Sequence, residues 1–359
     1  MDVKLTEELI SRLPKTDLHV HLDGSLRIET IIDLAKKQKV KIPTLEPEKL
    51  KQLLSAENAH SLEEYLQGFQ YTLLVLQTED ALFRAAYELA EDSANENIRY
   101  TEIRYCPILH TKKGLNLTSV SNAVLDGLAQ AEKEFNIKTG VIVTGMRNMS
   151  PDVSLKLVGL AIAYKGKSVV GFDLAGEEMN YPAKEHREAF DLALKNNLNI
   201  TIHAGEGYGP SSIHQAIHYC GAHRIGHGTR LIEDGDLLNY VNDHRIPIEI
   251  CLSSNLHTKA VKSFAAHPLP LFYDLGLRVT LNTDNRLISN TTMTKEFMLT
   301  VKHFGFDYKH IKNLIINGFK SSFLPYREKS IMLNKILGEM AEIEKQEMKA
   351  EAVEYEDKL

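Results

Sequence analysis

The stretch TIHAGEG, residues 201–207, places a histidine and a glutamate at the end of a short β-branched run. Such a run is typical of a buried strand, and the two glycines indicate a tight turn at its end. The imidazole of His203 is a side chain that often binds metals, and the carboxyl group of Glu206 follows three residues later. One segment therefore offers both groups that metal-assisted hydrolysis needs. A buried histidine beside a surface glutamate is an equally good interpretation of this segment alone.

Strand-like runs recur on both sides of this stretch, with helical patterns between them from residue 118 onward. The eight runs are Asp17–His21, Arg99–Cys106, Lys138–Val143, Ser168–Leu174, Asn199–His203, Arg224–Gly226, Pro247–Leu252 and Arg278–Asn282. They lack a solvent face, as strands of a parallel sheet covered by helices do. Eight such units predict an α/β fold, a (β/α)8 TIM-type barrel. The rival, an open doubly wound sheet, usually carries GxGxxG after its first strand, and DGSLRI (23–28) stands there instead.

The remaining segments predict additions to one barrel domain covering residues 1–359. Residues 40–97 form a helical insertion after the first strand, and extra helices follow from 291 to about 350. A charged tail, 341–359, is expected to be a solvated helix or frayed. Near the N-terminus, Thr6 is expected to cap a helix over 5–13, and Ser25 a helix over 26–39.

Composition excludes several classes of function. Charged residues make up 25% of the 359, and the net charge of −6 includes −4 from the tail, so no basic face points to nucleic acid or an anionic membrane. The three cysteines contain no CxxC pair, which argues against disulfides and thiolate zinc sites. No apolar run resembles a signal peptide or a membrane span. We expect a cytoplasmic protein, a monomer or weak homo-oligomer, acting on a small molecule.

Polar residues gather where five of the predicted strands end. In a barrel these ends meet at one rim, where catalytic groups lie. Three imidazoles and a carboxylate, from His19, His21, His203 and Asp284, would suit one zinc ion with room for water. With 15 histidines in the chain, each motif is weak alone, and the prediction depends on their coincidence.

We expect several other polar residues to have surface or structural roles and no part in the metal site. His214 and His218 are four residues apart but lack a third ligand, so we expect them on a helix surface. His223, His257, His267, His303 and His310 belong to no recognisable constellation. Glu102 and Arg104 alternate with apolar neighbours on the second strand, which suggests a structural ion pair inside the barrel.

Six motifs in order give this chain a resemblance to the adenosine deaminase family of metal-dependent amidohydrolases, over nearly its whole length. They are PKTDLHVHLDGS (14–25), GFDLAGEE (171–178), HAGEG (203–207), RIGHG (224–228), CLSSN (251–255) and LNTDN (281–285). The resemblance implies a (β/α)8 barrel with one catalytic zinc. It also implies hydrolysis of adenosine and 2′-deoxyadenosine to inosine and 2′-deoxyinosine plus ammonia, in purine salvage.

The motifs also imply a role for each site residue. His19, His21, His203 and Asp284 resemble the zinc ligands. His227 resembles the group that takes a proton from the metal-bound water and steadies the hydroxide, and Glu206 the acid that protonates purine N1. Gly176 resembles the backbone donor to N3, and Asp23 the group that contacts the ribose 5′-hydroxyl.

The last motif departs from the commoner TDD form, because Asn285 stands where a second aspartate often contacts purine N7. An amide donates a hydrogen bond at any pH, so the contact stays plausible. Within the insertion, eight apolar residues are candidates for part of a lid over a nucleoside: Leu53, Leu54, Leu62, Tyr65, Leu66, Phe69, Leu73 and Leu74. Packing on the barrel flank explains most of them at least as well.

Three other functions compete with this hypothesis. A deaminase of another 6-aminopurine, such as adenine or N6-methyl-AMP, is the nearest, and Asp23 disfavours a 5′-phosphate by charge repulsion. A binuclear hydrolase commonly has a lysine ending the fourth strand, and FDLAG (172–176) has none. A binding protein on an inactive scaffold would be expected to have lost a ligand, the acid or the base, and all six residues are present.

Overall fold

Eight parallel strands form a sheet in which each strand pairs with the next along the chain, in a computed structural model that describes residues 3–57, 59 and 61–356. The strands are β1 (Lys15–His21), β2 (Ile98–Tyr105), β3 (Lys138–Met146), β4 (Val169–Ala175), β5 (Asn199–Ala204), β6 (Arg224–His227), β7 (Ile248–Ile250) and β8 (Val279–Leu281). All eight overlap the runs predicted from sequence.

The residues after β8 return to β1 and nearly close the sheet into a barrel. Val20 and Asp284 form a parallel bridge. The amide of His21 donates to the Asp284 carbonyl across 2.7 Å, and the Asp284 amide donates to the His19 carbonyl across 2.7 Å. The result is a TIM-type (β/α)8 barrel.

Helices surround the sheet and fill the predicted insertion. Before the second strand these are α1 (Glu7–Arg12), α2 (Ile28–Gln38), α3 (Pro47–Leu54), α4 (Leu62–Leu66), α5 (Phe69–Val75) and α6 (Glu79–Asn95). Between the strands lie α7 (Leu117–Glu134), α8 (Pro151–Ala163), α9 (Arg187–Lys195), α10 (Pro210–His218), α11 (Gly235–Asp243), α12 (Leu252–His257) and α13 (Leu269–Asp274). The chain ends with α14 (Met293–Phe304), α15 (Tyr308–Ser321) and α16 (Tyr326–Glu356).

Two local predictions are wrong. The seventh strand, predicted to reach Leu252, ends at Ile250, because Leu252 begins α12 and short polar side chains there favour a turn over a strand. Ser25 does not cap α2, whose N-cap is Arg27. Its hydroxyl accepts the Arg286 amide at 3.1 Å instead, tying the loop after β1 to the segment after β8. The predicted cap Thr6 is confirmed, accepting the Leu9 amide at 3.1 Å.

Buried charges stand inside the barrel beneath its carboxyl rim. Glu102 and Arg104 are both fully buried, but they do not pair with each other as the sequence suggested. Glu102 accepts from Arg224, while Arg104 donates to Glu249 at 3.0 Å and lies 3.4 Å from Asp173. Residues on alternate strands meet across the barrel axis, so partners come from distant strands rather than from one strand.

The insertion packs partly as a separate apolar cluster. Ala56, Ala59, Tyr65 and Ile288 form this lid cluster, with Leu62, Leu66 and Phe69 packed against it. The predicted break at 58–60 falls mostly on residues 58 and 60, which lie outside the described residues, as do 357–359 of the predicted tail. In the described part of the chain, no helix has the length and apolar character needed to cross a membrane.

Candidate metal centre and active site

Four predicted ligands meet at the carboxyl rim of the barrel. The ligand atoms of His19, His21, His203 and Asp284 all lie within 4.8 Å of one another. The His203 Nε2 atom is 3.0 Å from His19 Nε2 and 3.1 Å from His21 Nε2. The Asp284 Oδ1 atom is 3.5 Å from His19 Nε2 and 3.4 Å from His21 Nε2. In a tetrahedral zinc site with bonds of about 2.0–2.1 Å the ligand atoms lie about 3.3 Å apart, close to these four separations of 3.0–3.5 Å.

Carboxylates behind two of the rings fix which nitrogen faces the centre. His19 Nδ1 lies 2.8 Å from Glu249 Oε2, and His203 Nδ1 lies 3.1 Å from Asp173 Oδ1. A carboxylate accepts hydrogen bonds, so each ring holds its proton at Nδ1 and turns a lone pair at Nε2 toward the centre. Lone pairs this close repel one another unless a cation lies between them. The donor set therefore fits a metal ion.

Arg104 links the two supporting carboxylates from below. It contacts Glu249 and Asp173 and also donates to the Leu18 carbonyl at 2.7 Å. Its positive charge helps to hold the pKa of Asp173 and of Glu249 below their ordinary values, against the opposite effect of burial. Both carboxylates thus stay ionised as acceptors for the ligand histidines.

The loop after β5 holds Glu206 over the centre. The backbone amides of Gly205, Glu206 and Gly207 all donate to the carboxylate of Glu178, at 2.9–3.0 Å. Glu206 itself is buried, and this burial raises its pKa well above the ordinary value, with the charges of Asp284 and Glu178 acting in the same direction. A protonated carboxyl group near a metal centre can act as a general acid.

His227 ends β6 beside the ligands. Its Nε2 lies 3.5 Å from Glu206 Oε2, and its Nδ1 lies 3.0 Å from the side-chain amide of Asn255. Burial lowers the pKa of His227 well below its ordinary value, so the ring is neutral. His227 and Asp284 both have left-handed backbone angles, with φ of 63° and 60°. Non-glycine residues adopt this conformation at a cost of about 1–3 kcal/mol, and such residues cluster at functional sites.

A cavity of about 260 Å³ opens above these groups. Its lining combines the site residues with apolar side chains from the insertion and contains no lysine or arginine among the described residues. A larger groove, about 1000 Å³, lies at the opposite end of the barrel and contains none of the predicted site residues. The chemistry therefore belongs to the smaller cavity.

Asp23 and Gly176 both line this cavity. Asp23 is buried, which raises its pKa to about 7, and its Oδ1 has no hydrogen-bond partner within the described structure. A hydroxyl of a bound ligand would satisfy that oxygen. Gly176 follows β4 with φ of 103°, a conformation that suits glycine because a side chain is strained there.

Asn285 lines the cavity and also makes a hydrogen bond to the insertion. Its Nδ2 donates to the Tyr65 hydroxyl at 2.8 Å, and its Oδ1 is buried without a partner in the described structure. A Cβ atom at Gly24 would lie 1.8 Å from that Oδ1, so the close approach requires glycine. One hydrogen of the amide nitrogen stays available, as the expected contact with purine N7 requires.

The insertion covers one side of the cavity. Five of the apolar residues considered as lid candidates line it: Leu62, Tyr65, Leu66, Phe69 and Leu73. The others do not, because Leu54 is buried in the main core while Leu53 and Leu74 are 58% and 42% exposed. Helices α4 and α5 therefore form one wall of the cavity.

Sequence patterns missed several groups that support the site. Asp173, Glu178 and Glu249 had no assigned role, although Asp173 and Glu178 lie in a quoted motif. The contact of Glu249 with His19 joins residues 230 positions apart, which no local pattern reveals. His214 and His218 lie on the exposed face of α10, as expected.

A barrel with three histidines and a carboxylate at its catalytic rim defines the class of metal-dependent hydrolases. A family model described as adenosine deaminase matches residues 14–339. The chain therefore belongs to the adenosine deaminase family, and it is an enzyme of the hydrolase class.

Individual relatives extend over most of the chain. An adenosine deaminase of Mycobacterium avium is 40% identical, with 94% of this chain and 98% of the relative aligned. One of Clostridium acetobutylicum is 41% identical, with 92% and 99% aligned. A probable adenosine deaminase of Dictyostelium discoideum is 41% identical over 89% of this chain, which spans 42% of that relative.

Solved structures share the fold. An adenine deaminase from Arthrobacter aurescens has a TM-score of 0.85 at 28% identity, covering 91% of this chain and 98% of its own. The N6-mAMP deaminase of Arabidopsis has a TM-score of 0.83 at 27% identity, covering 92% and 98%. Related proteins thus act on different 6-aminopurine compounds, so the substrate has to be argued from the cavity.

Proposed function

We propose that this enzyme hydrolyses adenosine and 2′-deoxyadenosine to inosine and 2′-deoxyinosine with release of ammonia, using one zinc ion per chain, in purine salvage. The observation that carries the proposal is the convergence of His19, His21, His203 and Asp284 below a cavity that also holds Glu206. Relatives at about 40% identity over nearly the whole chain are named adenosine deaminases, which supports the choice of nucleoside.

The metal and the acid supply different parts of the chemistry. Zinc held by His19, His21, His203 and Asp284 would lower the pKa of water to about 7 and so supply a nucleophile at neutral pH. Glu206, protonated because it is buried, donates its proton to purine N1 as the C6 atom is attacked. His227 faces the attacking oxygen, and the rim of the cavity excludes bulk water from the ring.

Three residues orient the nucleoside in this proposal. Asp23 contacts the ribose 5′-hydroxyl through the carboxyl oxygen that has no partner in the described structure. Gly176 donates its amide to N3, and Asn285 donates its remaining amide hydrogen to N7. The apolar side chains of α4 and α5 cover the purine from the outside.

A 5′-phosphorylated substrate is the second candidate, because a similar structure is the Arabidopsis N6-mAMP deaminase. The cavity argues against it. Its lining has no lysine or arginine among the described residues, and it includes the carboxyl group of Asp23, which the proposal assigns to the ribose 5′-hydroxyl. A phosphate dianion there would have no counter-charge.

We place the reaction in the cytoplasm, catalysed by a monomer or weak homo-oligomer. The three cysteines, Cys106, Cys220 and Cys251, are buried and unpaired, which suits a reducing compartment.

Ultraviolet absorbance of the zinc-loaded protein with adenosine, 2′-deoxyadenosine, adenine and AMP tests the proposal. We expect fast conversion of the two nucleosides, little of the other two, and loss of activity after chelation that zinc restores. Inertness toward both nucleosides with zinc bound would overturn the assignment, and preference for AMP would favour the second candidate.

A further inference from the structure

A chain of buried hydrogen bonds leads from the backbone of α13 to His227. The Leu269 amide donates to His267 Nδ1 at 3.0 Å. His267 Nε2 lies 3.3 Å from Asn255 Oδ1, and Asn255 Nδ2 lies 3.0 Å from His227 Nδ1. The three side chains are each at most 4% exposed, so water does not compete for these contacts. We call His267 and Asn255 the histidine relay.

The first member of the relay fixes the state of the second. A backbone N–H can only donate, so His267 Nδ1 must present a lone pair to Leu269. Burial lowers the pKa of His267 to about 3, which excludes the doubly protonated ring at neutral pH. A neutral imidazole with a lone pair at Nδ1 carries its proton at Nε2. His267 therefore donates from Nε2 toward Asn255.

The amide of Asn255 has one orientation that agrees with this proton. Its Oδ1 accepts from His267, which turns its Nδ2 toward His227. In the reversed orientation Asn255 Nδ2 would donate to His267 Nε2. His267 would then accept hydrogen bonds at both ring nitrogens, which a neutral imidazole cannot do because one of its nitrogens carries a proton. Oxygen and nitrogen of an amide are assigned from such networks, and here valence leaves a single solution.

The same rule applies once more at His227. Because Asn255 Nδ2 donates, His227 Nδ1 accepts and carries no proton. An imidazole ring with a lone pair at Nδ1 carries its proton at Nε2. Nε2 is the atom that lies 3.5 Å from Glu206, and His227 lines the cavity. We propose that Asn255 and His267 are positioning residues that hold the proton of His227 at Nε2, so that His227 faces the attacking oxygen as a hydrogen-bond donor.

This inference rests on the proposed function for the identity of the attacking oxygen, and it changes the role that the family resemblance implied for His227. A ring already protonated at Nε2 has no lone pair there to take a proton. His227 instead stabilises the negative charge on the oxygen and keeps its own proton. Zinc at the site would lower the pKa of water to about 7, so the proton that the attacking water loses is released to solvent before the attack. The proton that N1 receives as the C6–O bond forms comes from the protonated carboxyl group of Glu206.

Nitrogen-15 NMR of the zinc-loaded protein with labelled histidine tests the position of the proton directly. The signals of His227 are identified by their absence from a His227→Gln variant. We expect Nε2 to be protonated and Nδ1 to be unprotonated. A proton at Nδ1 of His227, or at both nitrogens, would overturn the inference, and this measurement does not depend on activity.

Asn255→Asp tests the relay by kinetics. A carboxylate only accepts, so it moves the proton of His227 to Nδ1, and we expect kcat to fall by about 10²–10⁴-fold with KM little changed. Asn313→Asp makes the same chemical change in an exposed residue of α15 and should leave both the NMR signals and kcat unchanged. If Asn255→Asp folds and binds zinc but keeps the parental kcat, the relay does not position His227.

The two proposals fail in different ways. A wild-type enzyme that deaminates adenosine while His227 carries its proton at Nδ1 refutes the relay alone. A protein with the proton at Nε2 that converts no nucleoside refutes the function alone. Should Asn255→Asp not fold, the wild-type spectrum still decides the inference.

Discussion

The backbone of Asp284 hydrogen-bonds to His19 across the last seam of the barrel. The Asp284 amide donates to the His19 carbonyl at 2.7 Å, while the side chains of both residues point to the same centre. A ligand on the first strand and a ligand just after the last strand are thus held by the hydrogen bonds that close the sheet. A metal ion bound to both should stabilise that closure as well as take part in catalysis.

Removal of the metal should lower the thermal stability of the whole barrel. A ligand at 100 times its Kd stabilises a protein by about 2.7 kcal/mol, which corresponds to roughly 5 °C for a large domain. Differential scanning calorimetry with zinc and with chelator measures the shift. Asp284→Ala is the control, because it should lose most of the zinc-dependent shift. An equal Tm for the loaded and chelated wild type would contradict the link.

Glu206→Gln should lower kcat by at least about 10²-fold, since an amide cannot supply the proton that N1 needs. KM and zinc content should stay close to those of the wild type. Steady-state kinetics and metal analysis measure both. Glu177→Gln is the matched control, because it makes the same chemical change at a glutamate that does not line the cavity. Full activity in a zinc-bound Glu206→Gln protein would remove the proton-donor role.

Glu178→Gln should weaken the loop that carries Glu206. The carboxylate accepts three backbone amides, and the single oxygen of glutamine cannot replace both of its oxygens. Hydrogen bonds to a charged group contribute about 1.5–3 kcal/mol each, so we expect a loss of about that size in the free energy of unfolding. Urea denaturation measures it, with kcat as a second readout. If stability and kcat both stay at wild-type values, the carboxylate does not hold the loop.

Asn285→Ala should raise KM for adenosine by about 3–10-fold, the equivalent of one neutral hydrogen bond. Tyr65→Phe removes the hydroxyl that accepts from Asn285 Nδ2 and should raise KM in the same direction by a smaller factor. Steady-state kinetics separates KM from kcat. A loss of kcat with KM unchanged in Asn285→Ala would show that Asn285 does not bind the purine.

Truncating the cavity wall tests the lid separately. Leu62→Ala and Phe69→Ala remove apolar surface that lines the cavity, so nucleoside affinity should fall. Leu53→Ala is the control, because Leu53 is exposed and does not line the cavity. Inhibition by the product inosine measures the affinity. Unchanged affinity in both lid variants would mean that these residues only pack on the barrel.

The order of strands and the ligand set could be predicted from sequence, because both follow local signals. Buried β-branched runs mark strands, and polar residues just after them mark the rim. His19, His21, His203 and Asp284 were predicted as ligands on that basis, and their ligand atoms do converge.

Contacts between distant strands could not be predicted in this way. Glu102 and Arg104 looked like partners because they are neighbours in sequence, yet each pairs across the barrel with a residue from another strand. His267 had no recognisable context, since its role depends on Asn255 and on a backbone amide that sequence does not place. Such contacts require the three-dimensional register of the strands.

The lid cluster of Ala56, Ala59, Tyr65 and Ile288 packs apart from the main core. Replacing this segment of the insertion with that of another protein should therefore leave the packing of the barrel largely intact. Chimaeras that graft the segment between α3 and α5 from relatives acting on other purines offer a route to new selectivity on an unchanged catalytic base.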